Sequence, residues 1–264
     1  MEKSKNRNYQ NKIKRMAAGA TLPIIFLVLW EWFGETGAIN QSILPRPSIL
    51  WNTLTEMIGT GDLQKHLLVS MIRVIKGFFA GTFLGLFLGV LIGLSKKVNE
   101  LSAVFIGILR PIPIIAWVPV LILWMGIDEG SKVTLIGIGS FWPVLLNTVR
   151  GIQNTDKKLL EVAYILEKNR IQILTKVMIP SALPSVFTGI RLGIGAAWSC
   201  VVAAEMIAAA KGIGYLIMYS RELSQPDIML VGVVSIGMVG LIIDAVLIRV
   251  EKRVLRWNTA EEQE

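Results

Sequence analysis

Nucleophiles, bases and metal ligands are scarce in this chain. Cys200 is its single cysteine and His66 its single histidine. No intrachain disulfide and no cysteine–histidine metal cluster can be built from them. A membrane enzyme would need a nucleophile–base set or metal ligands gathered near one membrane face, and these two residues lie far apart in the chain. No GxxxxGK[ST] segment occurs, so ATP cannot be held by the usual phosphate loop. What invites a chemical reading is of another kind: charges set into apolar stretches, and one long polar interruption between them.

That interruption is residues 161–180, EVAYILEKNRIQILTKVMIP. Leu159, Leu160, Ala163, Leu166 and then Ile173, Leu174, Val177 recur at helical spacing, while Lys157, Lys158, Lys168, Arg170 and Lys176 break the apolar runs. No window in it supplies the ~20 apolar residues that a bilayer span needs. It reads as two short amphipathic helices held outside the membrane, with a face that docks on something.

The elements that must position this loop follow from composition. Of 264 residues, 53% are hydrophobic and 17% charged, and the mean hydropathy is +0.59. A soluble domain has no use for so much apolar surface, so the expected class is an all-α polytopic membrane protein. The net charge of +8 is explained by basic residues at membrane edges rather than by a nucleic-acid partner.

Six spans are expected, at about 17–33, 72–94, 101–125, 132–149, 183–209 and 228–250. The first follows a basic tail over 1–15 and ends in Trp30-Glu31-Trp32-Phe33 with no small-residue cleavage site, so it reads as a retained anchor. Residues 35–65 read as polar and loop-like, with a stiff Leu44-Pro45-Arg46-Pro47-Ser48 element and an amphipathic helix over 49–57 capped by Ser48. The second span carries glycine at 77, 81, 85, 89 and 93, a ridge that predicts close helix packing. The third contains Pro111, Pro113 and Pro119, which should leave the carbonyls of Gly107 and Leu109 without helical donors. Such a break is tolerated inside protein or beside a wet cavity.

Lys and Arg set the orientation. With both termini and residues 161–180 on one side, that side holds 18 of them against five at Arg46, Lys65, Lys132, Lys211 and Arg221. The basic side is expected to be cytoplasmic. Charges inside the spans are the next candidates for function, because burying them is costly. Arg110, beside Pro111 and Pro113, either attracts an anion or gates a pathway, or else satisfies freed carbonyls or snorkels. Glu205 either meets an external partner or pairs with Lys211. Arg73 and Lys76 are expected to snorkel, and Asp244 to pair with Arg191.

The polar loop resembles the cytoplasmic coupling motif of ABC importer permeases, Glu-Ala-Ala, three residues, Gly, nine residues, Ile-x-Leu-Pro. Glu161 and Ala163 match, with Val162 between them. Val177, Ile179 and Pro180 fall at the spacing of the closing motif. The glycine position carries Glu167, a departure that places a side chain where a left-handed turn is wanted. Asn169 is expected to take over that turn. Leu44-Pro45-x-Pro47, residues 122–129 (ILWMGIDE) and Arg256-Trp257-Asn258 resemble the nitrate, sulfonate and taurine branch.

The resemblance implies a type I importer permease fold: a five-helix core plus the N-terminal anchor. Its parts would be an anchor region over 1–64, a permease domain over 65–250 with a coupling loop over 155–180, and a cytoplasmic tail over 251–264. It implies a coupling set of Glu161, Val162, Ala163, Leu166, Glu167, Ile179 and Pro180, with Pro180 fixing the exit into the fifth span. It also implies a pathway drawn from Arg110, Pro111, Pro113, Trp198, Ser199 and Glu205. The partners implied are two ATPase subunits that bind ATP and Mg, an extracytoplasmic solute-binding protein and a second permease copy, here a homodimer; no cofactor is expected in this chain. The competing class is an ATPase-independent secondary transporter or channel, which predicts inverted repeats and paired deep charges.

Overall fold

The computed structural model describes Gly19 and residues 21–255, and every described regular element is helical. The basic tail, the start of the first expected span and Arg256-Trp257-Asn258 lie outside the described residues. The chain divides into two compact units, one of residues 1–63 with 217–233, the other of residues 64–216 with 234–264.

In the first unit a helix over 21–35 (α1) leads through a turn to α2, Pro47–Thr60. Helix α2 is longer than expected, and Ser48 does not cap it. Arg46 is the extended residue before the helix and Pro47 opens it, because a missing N–H costs nothing in the first turn. The Ser48 N–H is instead taken by the Glu31 carboxylate at 3.0 Å, with the Ser48 hydroxyl donating to the same group at 2.7 Å. A carboxylate from α1 thus sits at the positive end of α2. Thr53 donates to Asp227 at 2.9 Å.

The second unit is organised around α6, Glu129–Gln153. Helix α3, Asp62–Leu94, lays its glycine ridge along one side of it. A methyl group at Gly77 would meet Ile136, at Gly81 the Gly137 carbonyl and Ser140, at Gly89 Thr148, and at Gly93 Ile152. The expected packing role of the ridge is what the structure has. Helix α9, Ile179–Ala208, packs on α6 in the same manner. Gly189 abuts Asn147 and the Pro143 carbonyl, Gly193 abuts Ser140, and Gly139 faces the Cys200 sulfur. Small residues on both partners let the backbones approach. Val74, Phe78, Ile136, Ala197, Trp198, Cys200 and Val201 fill the space around them.

The proline-rich third span is two helices rather than one. Helix α4, Lys96–Leu109, and α5, Trp117–Met125, meet at 77° across a short 3-10 turn, Ile114–Ala116. Pro111 and Pro113 lie in the break, and Pro119 lies in the first turn of α5, where no helical donor is required of it. The Leu109 carbonyl, expected to be orphaned, accepts from the Ile112 N–H at 3.2 Å. The bend re-pairs what a straight proline helix would leave open.

After α6 come α7 (Lys157–Ile165), α8 (Arg170–Ile173), α9, α10 (Ile213–Glu222) and α11 (Pro226–Val254). Among the described residues, α3, α6, α11 and the rod formed by α8 and α9 are long and apolar enough to cross a membrane, and the bent α4–α5 pair makes a fifth crossing if counted as one. Of the first expected span, Gly19 and the part in α1 are described.

Candidate coupling loop and a buried polar cluster

The candidate coupling loop begins where α6 ends at Asn154. Asp156 caps α7 by accepting from the Lys158 N–H at 2.9 Å. Helix α7 then ends in a double backbone closure. The Lys168 N–H reaches the Ala163 carbonyl and the Glu167 N–H reaches the Tyr164 carbonyl, the arrangement that places one left-handed residue after the helix. That residue is Glu167, with φ of +51°. Asn169, expected to take the turn, stays extended at φ −71°, ψ 163°. It caps α8 in a reciprocal box with Gln172, at 2.8 and 3.2 Å. The chain therefore makes its left-handed turn at the position where the resemblance expects glycine and uses asparagine as a helix cap.

The second half of the loop is not a separate short helix. Helix α8 runs through a π-helical turn, Leu174–Met178, into α9 without a bend that separates them. The π turn sits just before Pro180, whose ring supplies no N–H to a regular helix. Pro180 lies inside a continuous rod from Arg170 to Ala208, so the change of direction is made at Glu167. This corrects the expectation that Pro180 fixes an exit.

Helix α7 packs against the π turn with Ala163 inward, 4% exposed. Glu161 is exposed. Leu159, Val162, Tyr164, Ile165 and Leu166 are also exposed, Ile165 at 79%. So much apolar side chain on nine residues of a polar loop marks an interaction surface.

At the other end of α6 stands a cluster that sequence reading only half resolved. Glu205 on α9 is 1% exposed. It does not pair with the Lys211 side chain. Its carboxylate accepts from Arg73 Nη1 at 2.8 Å, from the Ser70 hydroxyl at 2.8 Å and from the Gly214 N–H at 2.9 Å. Lys211 contributes its carbonyl, which Arg73 Nη1 also reaches at 2.6 Å. Arg73 does not snorkel. It is buried, and its Nε and Nη2 hold the Glu129 carboxylate, the former at 2.7 Å. Ser70 further accepts from the Ile213 N–H, and His66 pairs with the Gly212 backbone. Gly212 has φ of +118°, and any side chain there would collide with the Glu205 carboxylate. Lys132, also buried, donates to the carbonyls of Ile127 and Asp128 at 2.7 and 3.1 Å.

Arg73, Glu129 and Ser70 were missed as a group. The available signal was depth: Arg73 lies at the start of the second expected span and Glu205 near the end of the fifth, levels that meet if the two helices run antiparallel. Of the other candidates, Trp198 is buried and donates to the Ile236 carbonyl at 3.1 Å. Ser199 is exposed and bonded to the Gly195 carbonyl. Arg110, Pro111 and Pro113 lie exposed at the α4–α5 break. Arg191 and Asp244 form the expected ion pair, at 2.8 Å.

Comparison with known proteins decides the family. Residues 81–256 match the model of the binding-protein-dependent transport system inner membrane component. The chain belongs to this family. The permease is 38% identical over 244 residues to the putative aliphatic sulfonates transport permease protein SsuC of Bacillus subtilis (strain 168), covering 92% of this chain and 88% of the relative. It is 30% identical over 261 residues to the bicarbonate transport system permease protein CmpB of Synechococcus elongatus, covering 93% of each. Its fold matches a chain of the inward-facing MetNI methionine ABC transporter with a TM-score of 0.66 at 17% identity, over 74% of this chain and 97% of that one. The permease is thus a multi-pass component of an ABC transport system, with the type I fold, and not an enzyme. A binding protein and an ATPase are the partners its family implies.

Proposed function

We propose that the permease forms the translocation pathway of an ATP-driven importer for a small anion such as an aliphatic sulfonate, taurine or nitrate. The observation that carries the coupling half of this reading is α7: an apolar face exposed on a short helix, at the opposite end of α6 from the polar cluster. Its docking surface is Glu161, Val162 and Leu166, backed by Ala163 and turned by Glu167, with Ile179 and Pro180 in the rod behind. ATP and Mg are bound by the partner ATPase. Closure of two ATPases would move α7, and the rigid helices joined to it would carry that motion to the pathway. The termini and α7 are cytoplasmic on the count of basic residues, the unit is a homodimer, and nucleic acid plays no part.

Within the pathway, the exposed Arg110, Pro111, Pro113 and Ser199 are the residues that meet solute. Trp198 and Glu205 hold the wall behind them. The permease domain takes in residues 65–250, with 1–64 as anchor region and 251–264 as tail. The test is uptake of labelled taurine and of labelled nitrate into proteoliposomes containing the permease, its ATPase and its binding protein. Uptake of at least one is expected only with enclosed or external ATP on the ATPase side. Uptake of equal rate without ATP or ATPase would overturn the reading in favour of a secondary transporter.

A further inference from the structure

The polar cluster at the start of α6 opens into a cleft of about 540 Å3, large enough for a small solute. Arg73, Glu129, Lys132 and Lys211 line it, with Ile127 and Ile207 as apolar wall. Arg73 and Glu129 are unequal partners in it. The arginine side chain is 5% exposed and the glutamate side chain 64%. The guanidinium is fixed by its surroundings, whereas the Glu129 carboxylate already stands largely in water.

The two edges of the guanidinium are used differently. Nη1 points inward to Glu205 and the Lys211 carbonyl. Nε and Nη2 grip the two oxygens of Glu129, a two-pronged geometry that suits any anion presenting two oxygens side by side, planar or tetrahedral. Were Glu129 to swing away, that edge of a buried arginine would lose its partners, which is costly. Glu205 cannot move over to fill it, because Ser70 and the Gly214 N–H hold it. The swing is favourable only when another oxyanion takes the vacated edge. Lys132 and the exposed Lys211 stand in the lining beside Asp128, two cations against one carboxylate, while the exchange occurs.

We propose that this cleft is a binding site for a small carboxylate, sulfonate or nitrate-like anion, and that Glu129 is its built-in occupant, displaced from Arg73 when the solute arrives. The proposal rests on the reading of the permease as an anion carrier and gives that anion a named site.

The experiment is a titration of the full-length permease, purified in an uncharged maltoside detergent, with trifluoromethanesulfonate followed by fluorine NMR. Glu129→Gln keeps the shape and one acceptor but removes the competing charge. With the occupied fraction of the site released, its affinity for the probe should rise on the order of tenfold over wild type. Arg73→Lys added to Glu129→Gln should abolish the gain, since the fork is lost. A gain of binding cannot come from misfolding, so Glu129→Gln alone keeps the proposal falsifiable. No tightening in Glu129→Gln, or tightening that survives Arg73→Lys, would overturn it. Unchanged probe affinity with stronger capture of the binding protein would also overturn it and assign the Arg73 edge to a carboxylate of that partner. No ATPase enters the measurement, so failure of coupling and failure of this site are read separately.

Discussion

At the scale of single residues, two side chains carry conformational or electrostatic cost that the surroundings hold in place. Glu167 occupies the left-handed residue after α7, a conformation that costs a non-glycine residue about 1–2 kcal/mol. Glu167→Gly should stabilise the purified permease by about 1 kcal/mol, less what glycine adds to the freedom of the unfolded chain. Thermal melting in detergent checks it, and a lower melting temperature would show that the Glu167 side chain contributes more than its backbone costs. Arg73 is the second case. Arg73→Leu leaves Glu205 buried with a charge that only Ser70 and a backbone N–H compensate, a loss of roughly 3–5 kcal/mol. Adding Glu205→Leu should restore much of it. If the double variant melts no higher than Arg73→Leu, the two residues do not act as a pair. The sequence named Glu167 as a departure because a glycine was expected there by resemblance. It did not show that Asn169 would be drawn away to cap α8, since asparagine suits both places and only the backbone chooses.

At the scale of elements, the glycine ridge of α3 was legible because its spacing of four is itself the geometry of one helix face. Its partner was not, because any apolar helix offers a surface; the structure supplies α6, whose own Gly137 and Gly139 complete the fit to α3 and α9. Gly81→Ala would place a methyl on the Gly137 carbonyl and the Ser140 hydroxyl and should destabilise by about 1–3 kcal/mol. Gly107→Ala on α4 meets nothing within 4 Å and should be neutral or slightly stabilising. Equal melting temperatures for the two variants would contradict the packing described. The break of the third span was legible from three prolines, but its 77° bend was not. Proline says where a donor is missing, while the angle depends on which carbonyls find other partners. The second half of the loop over 161–180 departs from its expectation for a related reason. Polar residues over 168–176 end the apolar run in the sequence, yet the helix continues through them as a rod that outruns its apolar part.

At the scale of the whole second unit, α6 joins two ends that differ in kind. One end leads through Asn154 to an exposed apolar helix, the other carries a buried network of charges around Arg73. Its 25 residues set those ends roughly 37 Å apart at 1.5 Å per residue. A helix of that length, closely packed by α3 and α9, would carry a movement made at α7 toward the cluster at the far end. The central claim is that α7 is where an ATPase holds this permease. The most direct measurement is co-purification in detergent of the full-length permease with its ATPase subunit, comparing wild type with Glu161→Arg and Val162→Asp, both on the exposed face of α7. A stable wild-type complex is predicted, weakened at least tenfold by either substitution, each of which places a new charge on the docking face. Complexes of equal stability for all three proteins would contradict the account.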